Sequence, residues 1–430
     1  MNATDILSLI GINENEIDTF ELVSSDTRRE STLFVYLKPF ESSCPSCKSK
    51  NYIIKEKVSS RIKHSILSNH HLSVIVFKRR YYCKDCNKTF TQPFGLFTKR
   101  SRISLLTKHN IVEDLYKTIS ITRIAKDNDV SWSTVVRILD DSIPYQKGGD
   151  FPGAICIDEF CFKHGSKDNK YPCVISNPFD KTIIDIIESR RSDYLKNYFS
   201  NIPITKLSKV KYFITDMWEP YRVIKRRYFQ NAIHIVDYFH VIKAFNEIIT
   251  SMRTQILKSI VEEKDKDCKE YRFLKKNWKI FLMNRVRLSK IVKVSKITGT
   301  KYYLIDKVDQ CLKNYPKLNE AYQNREDFIR DYRKIDYYRD AERLIDFSIK
   351  RFEMSFIPEV KELGKMFQNW RYEIINSAVK TSYGLRITNS ISESNNNMIQ
   401  TLINVCYGLV SFQRLRKRVL MISREKLKKT

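Results

Sequence analysis

Three carboxylates stand where a chain could bring them together on a metal ion. Asp158 ends the apolar run Gly153-Ala154-Ile155-Cys156-Ile157 and is followed by Glu159. Asp216 ends a second run, Lys211-Tyr212-Phe213-Ile214-Thr215, and is followed by Met217-Trp218. Glu393 lies far downstream in Asn389-Ser390-Ile391-Ser392-Glu393-Ser394-Asn395-Asn396, within a helix-rich stretch. If the two runs are neighbouring strands, their ends bring two aspartates side by side. Ionised carboxylates that close repel one another, and a pKa rises unless a cation lies between them. Mg²⁺ (or Mn²⁺) takes a few carboxylate oxygens and keeps water and phosphate as its other ligands. Two such ions about 4 Å apart serve in-line phosphoryl transfer. A lone aspartate after a strand is more often a turn residue, so the elements around it must carry the case.

Cysteine offers a second chemistry. Cys44-Pro45-Ser46-Cys47 and Cys83-Lys84-Asp85-Cys86 are paired Cys-x-x-Cys turns. Two such knuckles supply four thiolates and close a tetrahedral zinc site with no open position. Spacing of this kind favours metal over disulfides. His64, His70 and His71 fall between the pairs and read as surface histidines, because four cysteines suffice. Cys156, Cys161, Cys173, Cys268, Cys311 and Cys406 read as small apolar packing residues.

The elements that must position these groups follow from periodicity. Residues 1–40 form a lead-in, with a short helix expected over Asp5 to Ile10 and a strand over Thr32 to Leu37. Residues 41–98 form a zinc ribbon with a long insert, made basic by Arg61, Lys63, Lys78, Arg79 and Arg80. Residues 99–145 form helices, and Ile121 to Leu139 has helix-turn-helix spacing: Ala125 is small where helices approach, Val130 fills the turn, and Val135 and Ile138 face inward. Ser131 suits an N-cap, and Ser133, Thr134 and Arg137 would face a DNA major groove. Asp129 stands where glycine is common, and an ordinary helical hairpin is the alternative. A linker rich in Pro and Gly (Pro144, Gly148, Gly149, Pro152) follows.

Residues 151–250 then alternate strand and helix patterns. A strand ends at Asp158, a hairpin runs through Asn177-Pro178, and helices are expected over Asp193 to Phe199 and Tyr221 to Tyr228. Further strands end at Asp216 and Val236, the latter followed by Asp237-Tyr238-Phe239-His240 and a long helix. Three strands, a helix, a strand, a helix and a strand is a ribonuclease H-like order. Residues 251–380 read as an all-helical, highly charged insertion, and residues 381–430 as the last part of the core with a basic tail. The expected class is therefore multidomain α/β.

Composition bounds the partners. Lys and Arg number 77 against 49 Asp and Glu, giving +28, a surplus that points to a polyanion. No apolar run approaches the roughly 20 residues of a membrane helix, and Met1-Asn2-Ala3-Thr4-Asp5 lacks a signal-peptide layout, so a cytoplasmic location is expected.

With these residues in view, the sequence resembles the transposases of bacterial insertion sequences of the ISL-three group, a DDE family, over nearly its whole length. The likeness rests on the Cys-x-x-Cys pairs, the helix-turn-helix, Ile157-Asp158-Glu159, and Thr215-Asp216-Met217-Trp218 with Pro220-Tyr221. It continues in Asp237-Tyr238-Phe239-His240-Val241, Thr388-Asn389-Ser390, Glu393-Ser394-Asn395-Asn396 and Tyr407-Gly408. The resemblance implies a ribonuclease H-like core interrupted by helices, cleavage at terminal inverted repeats, and joining of a 3′-hydroxyl to target DNA. It matches Asp158, Asp216 and Glu393 to the metal-binding triad, with Glu159, Asp237 and His240 as auxiliary positions. His240 either touches the scissile phosphate or caps its helix. Ser394 replaces the family's usual glycine, and Gln400 and Asn404 replace basic residues. Synapsis of two double-stranded ends leads to the expectation of a homodimer on DNA. Two other readings compete: a catalytically inactive zinc-ribbon and helix-turn-helix regulator descended from a transposase, and a nuclease without strand transfer. Trp218 and Trp370 either pack in the core or stack on an unpaired base.

Overall fold

The computed structural model describes residues 7, 10–25, 30–67, 70–98, 101–142, 151–162, 170–263, 266, 268–294, 299–380, 386, 390–406 and 411–429. Most of the expected linker lies outside the described residues, as do Thr388, Asn389, Tyr407 and Gly408, and of the expected helix over Asp5 to Ile10 only Leu7 and Ile10 lie within them. The chain forms two compact units, Met1–Gln146 with Ile399–Thr430, and Lys147–Met398.

In the first unit, β1 (Ile17–Ser25), β2 (Glu30–Leu37), β3 (Tyr52–Leu67), β4 (His70–Cys83) and β5 (Thr89–Thr91) form one sheet, ordered β1-β2-β4-β3 with β5 on β4. The segment expected as a lead-in thus supplies two strands, β2 running parallel to β4. Side chains alternate across a strand. Leu33, Val35, Leu37, Leu72, Val74 and Val76 accordingly face one way and pack with Ile12, Phe94 and Leu96. The same alternation corrects the expectation for His64. It shares the inward parity of Ile62, is only 2% exposed, and burial pushes its pKa down to about 4. His71 is half-buried.

Three helices follow: α1 (Leu105–Leu115), α2 (Ile121–Asp127) and α3 (Trp132–Ser142). Ser104 and Ser120 cap the first two through their side chains. Ile111, Leu115, Ile124, Val135 and Leu139 are fully buried between them.

The second unit is built on a sheet of β6 (Ala154–Glu159), β7 (Cys173–Ser176), β8 (Ile183–Ile187), β9 (Tyr212–Thr215) and β10 (Ile233–Val236), ordered β10-β9-β6-β7-β8. β6, β9 and β10 are parallel, and β7 and β8 form the expected hairpin against β6. Ala154 to Ile157 are all buried, as a central strand covered on both faces requires. α4 (Ser192–Ser200), α5 (Ile204–Leu207) and α6 (Glu219–Tyr228) cover one face through Leu195, Phe199, Leu207, Tyr221 and Ile224. The opposite face carries Ala154, Cys156, Ile214 and Ile235.

α7 (Tyr238–Glu263) leaves the sheet and opens a helical region. It contains α8 (Lys269–Lys276), α9 (Trp278–Leu282), α10 (Arg285–Leu288), α11 (Leu304–Asn314), α12 (Pro316–Arg333), α13 (Tyr338–Glu353), α14 (Pro358–Asn369) and α15 (Arg371–Ala378), with the small ribbon β11 (Val292–Val294) and β12 (Lys301–Tyr303). Phe245, Phe328, Phe352 and Phe367 interlock at its centre. Trp370 is buried there under Arg222, whose guanidinium lies 3.8 Å from the ring centroid. α16 (Ser390–Val405) follows, and α17 (Phe412–Lys429) ends the chain within the first unit. Among the described residues no helix is long and apolar enough to cross a membrane.

Candidate active site and metal centre

The two cysteine turns have the same internal construction. The amide of Lys48 donates to Cys44 O at 2.8 Å, and the amide of Cys44 donates to Ser49 O at 2.8 Å. In the second turn Cys83 N donates to Lys88 O at 2.9 Å. In each, the residue after the second cysteine is left-handed: Lys48 at φ 63° and Asn87 at φ 57°. β3 and β4 pair Tyr52 with Cys83, which sets the turns against each other. Tyr52, Tyr81, Phe90 and Phe40 pack as an aromatic cluster beneath them. The four sulfur atoms lie within 4.8 Å of one another. Cys44 Sγ and Cys86 Sγ are 3.8 Å apart, and Cys47 Sγ and Cys83 Sγ 3.5 Å. Zinc–sulfur bonds of about 2.3 Å in a tetrahedron require sulfur separations of about 3.8 Å. The electrostatics agree. Burial raises the Cys44 thiol, but backbone amides of Cys47 and Ser46 outweigh it and bring it to about 7. At Cys47 an amide of Ser49 lowers the pKa, while burial and the three neighbouring thiols push it up to about 12. Such a crowd of thiols is relieved by a cation, and the cluster could hold zinc.

In the three-helix segment Asp129 has φ 50°, so it adopts the left-handed turn that a glycine would otherwise supply. Lys63 Nζ holds its carboxylate at 2.9 Å, and His71 Nδ1 lies 3.7 Å away. Ser131 Oγ accepts from Thr134 N at 3.3 Å, so it caps α3 as expected. Val135 and Ile138 face inward, while Ser133 and Arg137 are exposed and Thr134 half-exposed.

The acidic site is assembled by strand register. β6 and β9 pair Cys156 with Ile214, so Asp158 and Asp216, each two residues further on, leave neighbouring parallel strands at the same level. β10 pairs Val236 with Thr215, and the next residue, Asp237, donates its amide to Thr215 O at 2.9 Å. Three aspartates therefore leave three adjacent strands, on the face of Cys156, Ile214 and Ile235. Burial raises Asp158, and Asp237 raises it further, while the Glu159 amide, His240 and Asn396 act against this. Asp216 is pushed up to about 7 by burial and by Glu159 and Asp158, with Arg190 and Lys243 opposing. Asp216 Oδ1 is buried without a hydrogen-bond partner among the described residues. A buried, unpartnered carboxylate oxygen beside like charge fits a hard divalent cation. Asp158 and Asp216 are the residues that would hold it.

α16 lies on the same face. Asn395 is buried and donates to Ser176 Oγ at 3.0 Å. Asn396 donates to Asp158 Oδ2 at 3.0 Å and to Glu159 O at 3.2 Å. Glu393 precedes Asn396 by one helical turn and is exposed, as is Ser394. The three acids are not drawn into one tight cluster. Among the described residues the four cysteines alone bring all their donor atoms within 4.8 Å. The auxiliary positions take distinct roles. Glu159 accepts from Arg190 Nη1 at 2.8 Å and from Tyr221 Oη at 3.1 Å. Asp237 Oδ1 accepts from Phe239 N at 3.4 Å, so it, and not His240, caps α7. Trp218 is half-buried between Tyr221 and Arg190.

Sequence reasoning did not single out Arg190, and it placed Asn396 in the run Glu393-Ser394-Asn395-Asn396 without giving it a role. The spacing of Asn396, one helical turn after Glu393, was the usable signal for it. Arg190 had none, because only the return of the β7–β8 hairpin brings it to Glu159.

Residues 155–419 match the model of the DDE domain of family ISL3, described as a transposase. Residues 97–143 match the helix-turn-helix domain of transposase family ISL3. No curated protein matches the chain. The first match covers more than half of the chain, its segment includes both strand-end aspartates and Glu393, and the chain belongs to the ISL3 family of transposases.

Proposed function

We propose that the protein is a DNA transposase that cuts at the ends of its element and transfers a 3′-hydroxyl to target DNA, with Asp158, Asp216 and Glu393 as its metal-binding carboxylates. The observation that carries this reading is the bond from Asn396 to Asp158, which ties the helix bearing Glu393 to the strand-end acids. The strand order β8-β7-β6-β9-β10, with the hairpin antiparallel and the rest parallel, supports a ribonuclease H-like core interrupted by the helices of 251–380. Divalent cations held by the acids would supply an activated oxygen nucleophile and stabilise the leaving oxygen. The chain's own residues perform the remaining tasks. Arg190 fixes Glu159 beside Asp216. Asn396 fixes the rotamer of Asp158. Residues 41–98 as a zinc ribbon and 99–145 as the DNA-reading segment would bring duplex ends to this face, with Ser133, Thr134 and Arg137 toward the groove. Joining two ends calls for a homodimer on DNA.

The test is purified protein with Mg²⁺ and its own element ends. Joined products are expected from the native chain. Asp216→Asn and Glu393→Gln each abolish cleavage and joining and leave duplex binding intact. Cleavage that survives either change misassigns the triad. Binding with no cleavage by the native protein returns the inactive-regulator reading, and nicks without joining return the nuclease reading.

A further inference from the structure

The sheet of the first unit has one face packed in its core and an opposite face on which Thr19, Tyr36, Lys57, Ser59 and Arg61 are exposed. Across this face the register sets Thr19, Tyr36, Phe77 and Ser59 side by side on β1, β2, β4 and β3. Tyr36 and Phe77 stack with centroids 4.5 Å apart and planes within 5°. That separation is close to the strand spacing of about 4.8 Å, so the rings stand parallel like adjacent rungs. Each covers one face of the other. Phe34 lies near-parallel to Phe77 at 6.5 Å, and the register neighbours on the outer sides of the pair are the small residues Thr19 and Ser59. Tyr36 is 39% exposed. Phe77 is half-buried, and the small neighbours Thr19 and Ser59 on either side of the pair are exposed.

The charges beside the stack fit one kind of occupant. Lys57 and Arg61 share Ser59's face of β3, two residues to either side and about 7 Å away along the strand. Both are exposed and neither has an ion-pair partner among the described residues. Glu21 and Glu30 lie on the far strands β1 and β2. At the end of the same face Lys63 holds Asp129 in the turn of the helix-turn-helix, with His71 Nδ1 3.7 Å away, so the platform runs directly into that segment.

We propose that this face binds unpaired nucleotides, a base joining the Tyr36–Phe77 stack above Ser59 while Lys57 and Arg61 take the phosphates on either side. A base within a duplex has both faces covered by its neighbours and must be unstacked first, whereas single strands offer free ring faces to aromatic platforms. Binding here does not depend on the carboxylates or on cleavage, so it is tested apart from the catalytic reading.

The full-length protein is titrated by fluorescence anisotropy against oligo(dT), a strand of equal length with abasic central positions, and a duplex. Native protein binds oligo(dT) more tightly than the abasic strand. Phe77→Ala weakens oligo(dT) binding by about 5- to 100-fold and leaves duplex binding unchanged. Ser59→Leu, at an exposed strand position, fills the space above Phe77 without cutting the stack and produces the same selective loss. Lys57→Gln with Arg61→Gln lowers the salt dependence of oligo(dT) binding by about one to two ions. Equal affinity for the abasic strand, native-like binding by both Phe77→Ala and Ser59→Leu, or a loss shared equally with duplex overturns the proposal.

Discussion

At Asp216 burial and like charge act in the same direction, and the carboxyl reaches a pKa of about 7 against an ordinary 3.8. The unfolded chain gives up this proton near the ordinary value while the fold retains it. The stability contributed by the proton is therefore complete below pH 3.8 and is lost as pH rises through about 7. Relative to Asp216→Asn, the native protein in chelator should lose melting temperature across that window. Mg²⁺ should restore it, and by more at about pH 8 than at about pH 5, because protons compete with the cation for the same oxygens. A Mg²⁺ shift equal at both values, or retained in Asp216→Asn, would show that the ion binds elsewhere. Both aspartates were legible in the sequence because each closes an apolar run. Their repulsion was legible too, since it needs only that the runs be neighbours. Arg190 was not, and for Asn396 the motif was legible but its bond to Asp158 was not, because the distances from Glu159 and Asp158 are set by tertiary folding alone. His64 misled for a simpler reason: its burial depends on the parity of β3, a strand whose charged and hydroxyl residues hid its alternation.

At the scale of the element, the first cysteine turn shows a conformation its sequence does not favour, whereas Asn87 in the second tolerates it. Lys48 holds φ 63°, a region that costs a side chain roughly 1–2 kcal/mol and costs glycine little. Lys48→Gly is expected to stabilise the zinc-loaded protein by about 1 kcal/mol and to slow metal loss to a chelator, as followed by thermal melting and a colorimetric zinc assay. A lower melting temperature would mean that the lysine side chain makes a compensating contact. Asp129 adopts the same conformation but is held by Lys63, so its replacement by glycine removes an ion pair as it removes strain. The departure from glycine there, which weakened the motif in the sequence, is accommodated by a residue type that tolerates this region. β1 and β3 were hidden for the opposite reason to β6. They expose one edge or face, so their residues are polar, mixed and weakly periodic, whereas β6 is buried on both sides and declares itself as a continuous apolar run.

On the scale of the whole molecule, the unit that begins the chain is completed by its last helix. Arg418 on α17 is fully buried and donates to the carbonyls of Leu115, Lys117 and Ile119, at and beyond the end of α1. Arg414 pairs with Asp140 on α3 at 3.0 Å. Helices leave their last carbonyls unsatisfied, and here a distant guanidinium satisfies them. Arg418→Leu strands those acceptors in an apolar setting and should destabilise the first unit by about 3 kcal/mol, read as a lower denaturation midpoint and weaker duplex binding with the acidic site unchanged. No local pattern announced this, since the contacts join residues about three hundred positions apart and the tail reads simply as basic. The timing of synthesis follows from the same contact. The helices that would read DNA leave the ribosome early, yet they lack their supporting layer until α17 emerges. Chains that stop short of α17 should therefore bind duplex DNA more weakly than chains that contain it.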